Sequence, residues 1–470
     1  VIEMEIKKVV VIGGGITGLS TAYFLQKEAK EKKIPIEIKL IEASPRLGGV
    51  IQTISKDGYI IEKGPDSIIV TKKSGLKLIE EVGLKENVVY NTAGKSFLHV
   101  NGKLHTMPEG AYMGIPTKVT PFAVSSLFSM KGKLRAAGDF ILPRGKKLSD
   151  QALGGFFRRR LGNEIVENLI EPLLAGIYAG DIDKLSLMAL FPNFYDMEQN
   201  YRSLVLGLKK TVPRPAKPLK KQPTRKGMFI SLNTGLESLI EAVEKRLEPG
   251  SIMKGTGVIK IVRAEEGYHC LLANGTSVKA DSIVIATDHF HAQQMLSDYS
   301  FMDVFKNMPS NSIANVVMGF PKSAIKQDIE GTGFVVSRNS DHRITACTWT
   351  HKKWPTSTPE GKVLLRCFIG KPDDQGVIDL ADEEIIKIVL NDLNKTMNIT
   401  AEPEFHIITR WKKAMPQYTI GHLDRMKNVK ESLAKELPGV FLAGASYEGV
   451  GIPGCIDQGE AAKEKVLHFL

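Results

Sequence analysis

The stretch that decides the fold is IKKVVVIGGGITGLSTAYFLQKEAKEKK, residues 6–33. Ile6–Ile12 is a short β-branched run suited to a buried parallel strand. Gly13, Gly15 and Gly18 follow at G-x-G-x-x-G spacing, and Leu19, Ala22, Tyr23 and Leu25 continue at helical spacing. A second apolar run, IEIKLIEA (residues 36–43), carries Glu42 and Ala43 at its end. Each part has a job in dinucleotide binding. Gly13 permits a tight turn. Gly15, without a Cβ, lets a pyrophosphate approach the backbone. Gly18 lets helix and strand pack closely, with the helix N-terminus facing the phosphates. Gly14, Ile16 and Thr17 complete the loop. Glu42 lies 24 residues after Gly18, near the offset of a carboxylate that bonds a ribose hydroxyl. Together these features predict a dinucleotide-binding unit at the start of the chain.

The next residues distinguish cofactors. EASPRLGG (residues 42–49) places Arg46, Gly48 and Gly49 just past the acid, and YIIEKGPDS (59–67) adds a turn at Gly64 and Pro65. A basic side chain and two more positions without side chains suit a long cofactor that continues over the protein. This extension resembles the flavoprotein amine-oxidase superfamily, which implies FAD.

A second G-x-G-x-x-G occurs at Gly449, Gly451 and Gly454. A nucleotide unit would need a strand directly before it and a βαβ unit of about 30 residues around it. Here ASYE (445–448) separates the strand GVFLAG (439–444) from the glycines, Pro453 sits inside the motif, and only Cys455–Leu470 remains beyond it. So this is not a second nucleotide site. Pro453 is placed to open a helix, whose N-terminus favours negative charge. Gly444, Gly449, Val450, Gly451 and Ile452 are therefore expected to cradle the flavin ring, whose reduced form carries such charge. DSIVIATD (281–288) adds a strand ending in Ala-Thr, a pattern the same flavoproteins place beside the pyrophosphate. No other segment offers an NAD site, so the electrons are expected to go to oxygen or to another acceptor, not to NAD(P).

The 470 residues suit two or three domains. At 43% hydrophobic and 24% charged residues the composition is that of an ordinary globular protein, and no apolar run is long enough to span a bilayer. The four cysteines, Cys270, Cys347, Cys367 and Cys455, follow no zinc or disulfide spacing, which points to a reducing, cytoplasmic setting. No metal site is expected. Val1–Glu3, ahead of Met4, are set aside as foreign to the natural start, and no signal peptide is read. The net charge of +11 draws in part on KKTVPRPAKPLKKQPTRKG (209–227), which lacks any acid and reads as an extended, solvated loop. A lipid surface or a partner is the sharper alternative for it. Nucleic acid is not expected, because no recognised fold or aromatic platform accompanies the charge.

Four blocks narrow the family: GPDS (64–67), EPLLAGIYAGDIDKLSLMALFP (171–192), RWKKAMPQYTIGH (410–422) and GASYEGVGIPGCIDQG (444–459). Together they resemble the oxygen-dependent porphyrinogen oxidases, over nearly the whole chain, with the soluble Gram-positive type nearest. The resemblance implies a mixed α/β (α+β) fold in three discontinuous parts: a Rossmann-like FAD-binding domain (4–70, 231–297, 431–470), a substrate-binding domain containing a β-sheet (71–115, 207–230, 298–430) and an inserted helical lobe (116–206). In the lobe, Leu153, Phe156, Phe157, Leu161, Ile165, Leu169 and Ile170 follow a helical pattern. Arg158–Arg160 are expected to be solvated, and no strongly apolar surface helix is expected there.

The implied reaction is the six-electron oxidation of a porphyrinogen in haem synthesis, coproporphyrinogen III to coproporphyrin III, with O2 reduced to H2O2 and some action on protoporphyrinogen IX. Protoporphyrinogen IX as main substrate, another amine oxidase or desaturase, and a non-catalytic flavin-binding protein are the alternatives. No cysteine stands in RWKKAMPQYTIGH, where relatives with covalent flavin carry one, so non-covalent FAD is expected. By resemblance Lys72 takes a propionate, with Lys73 beside it. Ile177, Tyr178 and Ala179 line the substrate cavity, Trp411 packs beside the FAD, Val258 meets the adenine side through its backbone, and Asp66 and Ser67 join Gly64 and Pro65 in cofactor binding. No catalytic side chain is assigned. Transient contact with other haem-pathway enzymes or a membrane surface completes the expectation.

Overall fold

In the computed structural model, which describes residues 5–92, 94–109, 111–116, 118–211 and 227–470, the opening stretch forms the expected strand Lys7–Ile12 and helix Ile16–Lys32. Val9–Ile12 is buried, as a strand covered on both faces requires. It lies at the centre of a five-stranded sheet ordered Ile252–Lys254, Ile36–Glu42, Lys7–Ile12, Ser282–Ile285, Val440–Leu442. Every pairing is parallel, and Ile12 opposes Ile41 on one side and Ile285 on the other. The three strands therefore end level, and the crevice beyond such ends is where open parallel sheets bind ligands. The last helix, Ile452–Phe469, packs along the first. Their approach is close enough that a Cβ on Gly459 would lie 2.8 Å from that of Ser20. Lys463 adds an ion pair to Glu28 at 2.5 Å.

The chain divides into two units. The first gathers the residues up to Asn91, Met228–Met308 and Asp424–Leu470; the second holds Thr92–Gly227 and Pro309–Leu423. Residues 71–91 and 228–230 group with the parallel sheet, although the sequence expectation put them in the substrate-binding part. The reason is a small antiparallel sheet in which Phe229–Leu232 lies between Ile68–Ile69 and Val88–Tyr90. The basic stretch 209–227 falls outside the described residues from 212 to 226.

The second unit carries a seven-stranded sheet ordered Phe405–Pro416, Ser310–Pro321, Lys362–Ile369, Ile344–Trp349, Gly333–Val336, Ser96–Val100, Lys103–Thr106. It is antiparallel except where Gly333–Val336 runs parallel to Ser96–Val100. Val316, Met318, Leu365 and Cys367 cover one face together with Ile385, Val389 and Leu393 of the helix Asp382–Met397. Near the other end, Leu98 and Val335 pack into the core of the helical lobe.

In the lobe, Leu153, Phe156, Phe157, Leu161, Ile165, Leu169 and Ile170 are all buried, as their spacing predicts. One expectation is corrected. Arg160 is fully buried, not solvated: its guanidinium donates to the Asp139 carboxylate, to the carbonyls of Pro143 and Arg202, and to Glu198. Arg159 forms a bidentate pair with the same Glu198, and Arg158 pairs with Asp183. A buried guanidinium needs this many acceptors to offset lost hydration. The lobe also presents an apolar stripe outward. Met130 and Leu134 stand one turn apart on the helix Met130–Ala137 and are 70% and 71% exposed, and Ile141 beyond the helix is 79% exposed. No helix among the described residues is long and apolar enough to cross a membrane.

The Arg160 network sets a stability test. Arg160→Met leaves Asp139 buried without its cation and Glu198 with Arg159 alone, and should cost about 3–5 kcal/mol in urea unfolding. Adding Asp139→Asn and Glu198→Gln should recover part of that loss. An Arg160→Met protein as stable as the parent would exclude a structural role for the network.

Candidate functional site

The site in the first unit begins where the first strand stops. Gly13 has φ +106° and its N–H donates to the Ile41 carbonyl at 2.8 Å. The chain then turns into the first helix, whose N-cap, Gly15, offers no capping side chain. The helix comes so near the strand that a Cβ on Gly18 would lie 1.9 Å from the Gly13 carbonyl oxygen. Gly18 is thus demanded by packing. Gly15 differs: an added Cβ would meet no heavy atom within 4 Å. Open space in front of uncapped helical N–H groups is the geometry that receives a phosphate. Ile16 and Thr17, the first residues of the helix, are buried.

Glu42 ends the second strand, and its carboxylate is held by two backbone amides, Gly14 N–H at 2.6 Å and Ser44 N–H at 2.8 Å. The acid is therefore oriented by the glycine loop itself. Ala43 beside it lies against Gly257, where a Cβ would be 3.0 Å from the Ala43 Cβ. This brings Val258, the first residue of the strand Val258–Arg263, to the Glu42 end of the sheet. Arg46 turns inward: its guanidinium donates to the carbonyls of Gly49 and Ile51 and pairs with Glu237 at 3.0 Å. That clamp shapes the loop of Gly48 and Gly49, which Gly48 N–H anchors to the Gly14 carbonyl at 2.8 Å. Glu237 and its partner Thr53 were invisible to sequence reasoning, because neither belongs to a motif and each acts only through contacts with distant segments.

Further along, Gly64 packs against the same loop, with a Cβ there only 1.7 Å from the Val50 carbonyl oxygen. Pro65 comes next, Asp66 is buried, and the Ser67 hydroxyl donates to its carboxylate at 2.8 Å. Lys72 is exposed and caps the helix Lys73–Glu81. The next residue but one, Ser74, donates to the Pro453 carbonyl at 3.1 Å, so the start of this helix meets the start of the last one.

The second glycine motif has two different uses. Gly449 and Gly454 touch each other: a Cβ on Gly454 would lie 2.5 Å from the Gly449 carbonyl oxygen. Gly451, the N-cap of the last helix, has open space where a Cβ would be, and carries no capping side chain. Val450 is half-buried beside it, and Ile452 is buried at the helix start. Gly444 abuts Thr17 of the first helix, with 3.3 Å between a built Cβ and Oγ1. Two uncapped helix starts, at Gly15 and Gly451, are thus linked through Thr17 and Gly444 in one unit. Cys455 is buried, and burial raises its thiol above the ordinary value, against which the Lys72 charge acts weakly.

Ile177, Tyr178, Ala179 and Trp411 belong to the second unit. Ile177 is exposed at the end of the helix Glu171–Tyr178, while Ala179 is buried with φ +49°. Asn311 donates to the Ala179 carbonyl at 2.6 Å and Gln417 to that of Tyr178 at 2.9 Å. Burial pushes the Tyr178 phenol up to about 12. Gln417 belongs to MPQY, so two of the blocks that narrowed the family lock onto each other. The Leu185–Thr419 bridge, Ser186 N–H to the Tyr418 carbonyl, and Asp150 accepting from Ser186 and Gly421 extend that lock. Trp411 lies on the edge strand Phe405–Pro416, opposite Ile313.

A family model described as flavin containing amine oxidoreductase matches residues 16–467. The chain is 55% identical to the coproporphyrinogen III oxidase of Bacillus subtilis, over 99% of this chain and 98% of the relative. It is 42% identical to the coproporphyrinogen III oxidase of Staphylococcus aureus, over 99% of this chain and the whole of the relative. A crystal structure of a candidate protoporphyrinogen oxidase from Exiguobacterium sp. 255-15 superposes with a TM-score of 0.87 at 38% identity, covering 98% and 99% of the two chains. The chain therefore belongs to the flavin-containing amine oxidoreductases, and its cofactor is FAD.

Proposed function

We propose that this chain oxidises coproporphyrinogen III to coproporphyrin III, removing six electrons and six hydrogens while three O2 become three H2O2. What carries the reading is likeness over nearly the full length to two coproporphyrinogen III oxidases. The site residues are compatible with the cofactor such a reaction needs. Gly15 and Gly451 leave backbone amides bare toward open space, and Glu42 is pre-oriented for a ribose. In this reading Gly13–Gly18, Glu42, Ala43 and Val258 hold the adenine, ribose and pyrophosphate portions. Arg46 shapes the loop of Gly48 and Gly49, Gly64–Ser67 flank it, and Gly444 and Gly449–Ile452 bear the ring. Trp411 packs beside it. Binding is non-covalent, since all four cysteines are buried and none lies in the Arg410–His422 block.

FAD, when bound, supplies a two-electron acceptor at its N5 position. A porphyrinogen stabilises its own charge, because hydride loss from a bridging methylene leaves a cation spread over adjacent pyrroles. The chain's residues therefore orient and shield more than they activate. Tyr178, held neutral, and Ile177 offer apolar surface to a flat macrocycle. Lys72 offers an ammonium to a propionate. The net charge of +11 favours encounter with a substrate bearing four carboxylates.

We further propose that the enzyme meets anionic membrane surfaces through the lobe segment 118–148. Exposed Val124, Met130, Leu134 and Ile141 alternate there with exposed Lys118, Lys131, Arg144, Lys146 and Lys147. The one acid in the segment, Asp139, is buried. Outward apolar side chains among cations suit the interfacial layer of a bilayer.

Porphyrin fluorescence should appear faster from coproporphyrinogen III than from protoporphyrinogen IX, in air and without NAD(P), and Lys72→Met should raise KM for the four-carboxylate substrate about tenfold. The reverse preference would move the enzyme to the later oxidation, and no turnover of either would overturn the reading. Gly15→Ala should leave the apoprotein's melting unchanged yet weaken FAD at least about tenfold, whereas Gly18→Ala should lower melting itself. In vesicle flotation, the protein should rise with vesicles containing phosphatidylglycerol and not with pure phosphatidylcholine, and Leu134→Glu/Ile141→Glu should abolish this. Equal flotation of the variant would exclude the segment.

A further inference from the structure

His289 is buried in the first unit and belongs to none of the sequence motifs. Its Nε2 lies 3.1 Å from the Met308 carbonyl oxygen, which can only accept. The ring must therefore carry a proton on Nε2, and in the neutral imidazole Nδ1 presents a lone pair. That lone pair faces the Ser446 hydroxyl at 3.2 Å, so Ser446 donates to it. The same Ser446 oxygen accepts from the His289 backbone N–H at 3.3 Å. Every donor and acceptor of this small network is used once the imidazole is neutral.

Ser446 lies between Gly444 and Gly449, on the segment that carries the second uncapped helix start. Tyr447, its neighbour, donates from its hydroxyl to the Thr287 carbonyl at 3.1 Å. Ala443 N–H donates to the Ile285 carbonyl at 3.0 Å. The segment is thus tied to the end of the strand Ser282–Ile285 and the turn beyond it at three points. Of the six residues making these ties, His289 alone has a side chain that titrates near neutral pH. From these contacts we infer that His289, as the neutral Nε2–H tautomer, is a positioning residue that holds the Ala443–Gly451 segment in the shape that receives the flavin. The inference rests on the proposed placement of FAD.

Protonation would replace the Nδ1 lone pair with an N–H, so Ser446 would have to turn from donor to acceptor there and its hydroxyl proton would lose this partner in a buried site. Burial disfavours the charged ring and holds its pKa below the ordinary value, partly opposed by the Met308 carbonyl and the Asp288 charge. Asp288, at the start of the same helix, is itself engaged by His291, and the titratable groups on the glycine segment are the Tyr447 phenol and the Glu448 carboxylate, the latter paired with Lys430. Phe305 packs on the ring from the turn ahead of Met308. The neutral state is therefore still populated at the ordinary imidazole pKa and is lost only as pH falls through the lower value that burial imposes.

The test uses holoenzyme. FAD retention is measured against pH by flavin fluorescence on release, together with the flavin midpoint potential. Wild type should hold FAD at the ordinary imidazole pKa and release it only at more acid pH, as burial of His289 requires. Ser446→Ala and His289→Gln should bind FAD about tenfold more weakly at neutral pH, with that acid limb removed. His289→Asn, whose amide can still accept from Ser446, should rescue most of the affinity, and Tyr447→Phe reports loss of a neighbouring tie without the imidazole. If Ser446→Ala and the His289 variants melt earlier but keep wild-type affinity, potential and pH profile, His289 is only structural and the inference fails. If Gly15→Ala also keeps FAD, the placement beneath it fails instead.

Discussion

The first helix can begin only because nothing projects from Gly18 toward the Gly13 carbonyl, where a Cβ would sit at 1.9 Å. That contact lets the helix start directly over the end of the first strand. The other features of the unit depend on it. The last helix packs along the first, with Gly459 against Ser20, and so its own start at Gly451 is carried to the same region. Glu42 is oriented by Gly14 of the same turn, so the terminal acid and the glycine loop are one rigid piece. Removing side chains at a few points thus brings together bare amides from segments far apart in the chain.

Two glycine motifs of identical spacing do different physical work. In the first, the outer glycines serve packing and the middle one opens space. In the second, Gly449 and Gly454 press on each other, and Gly451 opens space. The shared logic is a helix N-terminus without a capping side chain, which leaves its amides for a ligand. The two motifs differ in the elements that come before them. The strand Lys7–Ile12 runs directly into the first motif, whereas residues 443–448 separate the strand Val440–Leu442 from the second.

The second unit solves another problem. Its seven-stranded sheet covers one face with a long helix, and its helical lobe uses a buried arginine to join several segments. Gln417 and Asp150 lock two of the blocks that carried the resemblance to each other, so their sequences are tied by packing.

Local pattern determined the parts whose cause is local. A β-branched run beside G-x-G-x-x-G and a terminal acid can be read from spacing alone, because strand, turn and helix periodicities are properties of neighbouring residues. The same holds for Phe156, Phe157 and Leu161, whose burial follows their helical period. Tertiary structure decided what distant partners decide. Arg158–Arg160 read as a solvated charge run, and only Asp139 and Glu198, brought in from other segments, make Arg160 a core residue. Arg46 read only as a basic side chain beside two glycines, and its clamp on their loop depends on Glu237 from a distant segment. Met130 and Leu134 face outward only because Gly132 and Ala136 of the same helix pack inward. His289 gained its role from Ser446 and Met308 alone. A side chain's charge and shape are written in its identity, but its partners are set by how the chain returns on itself.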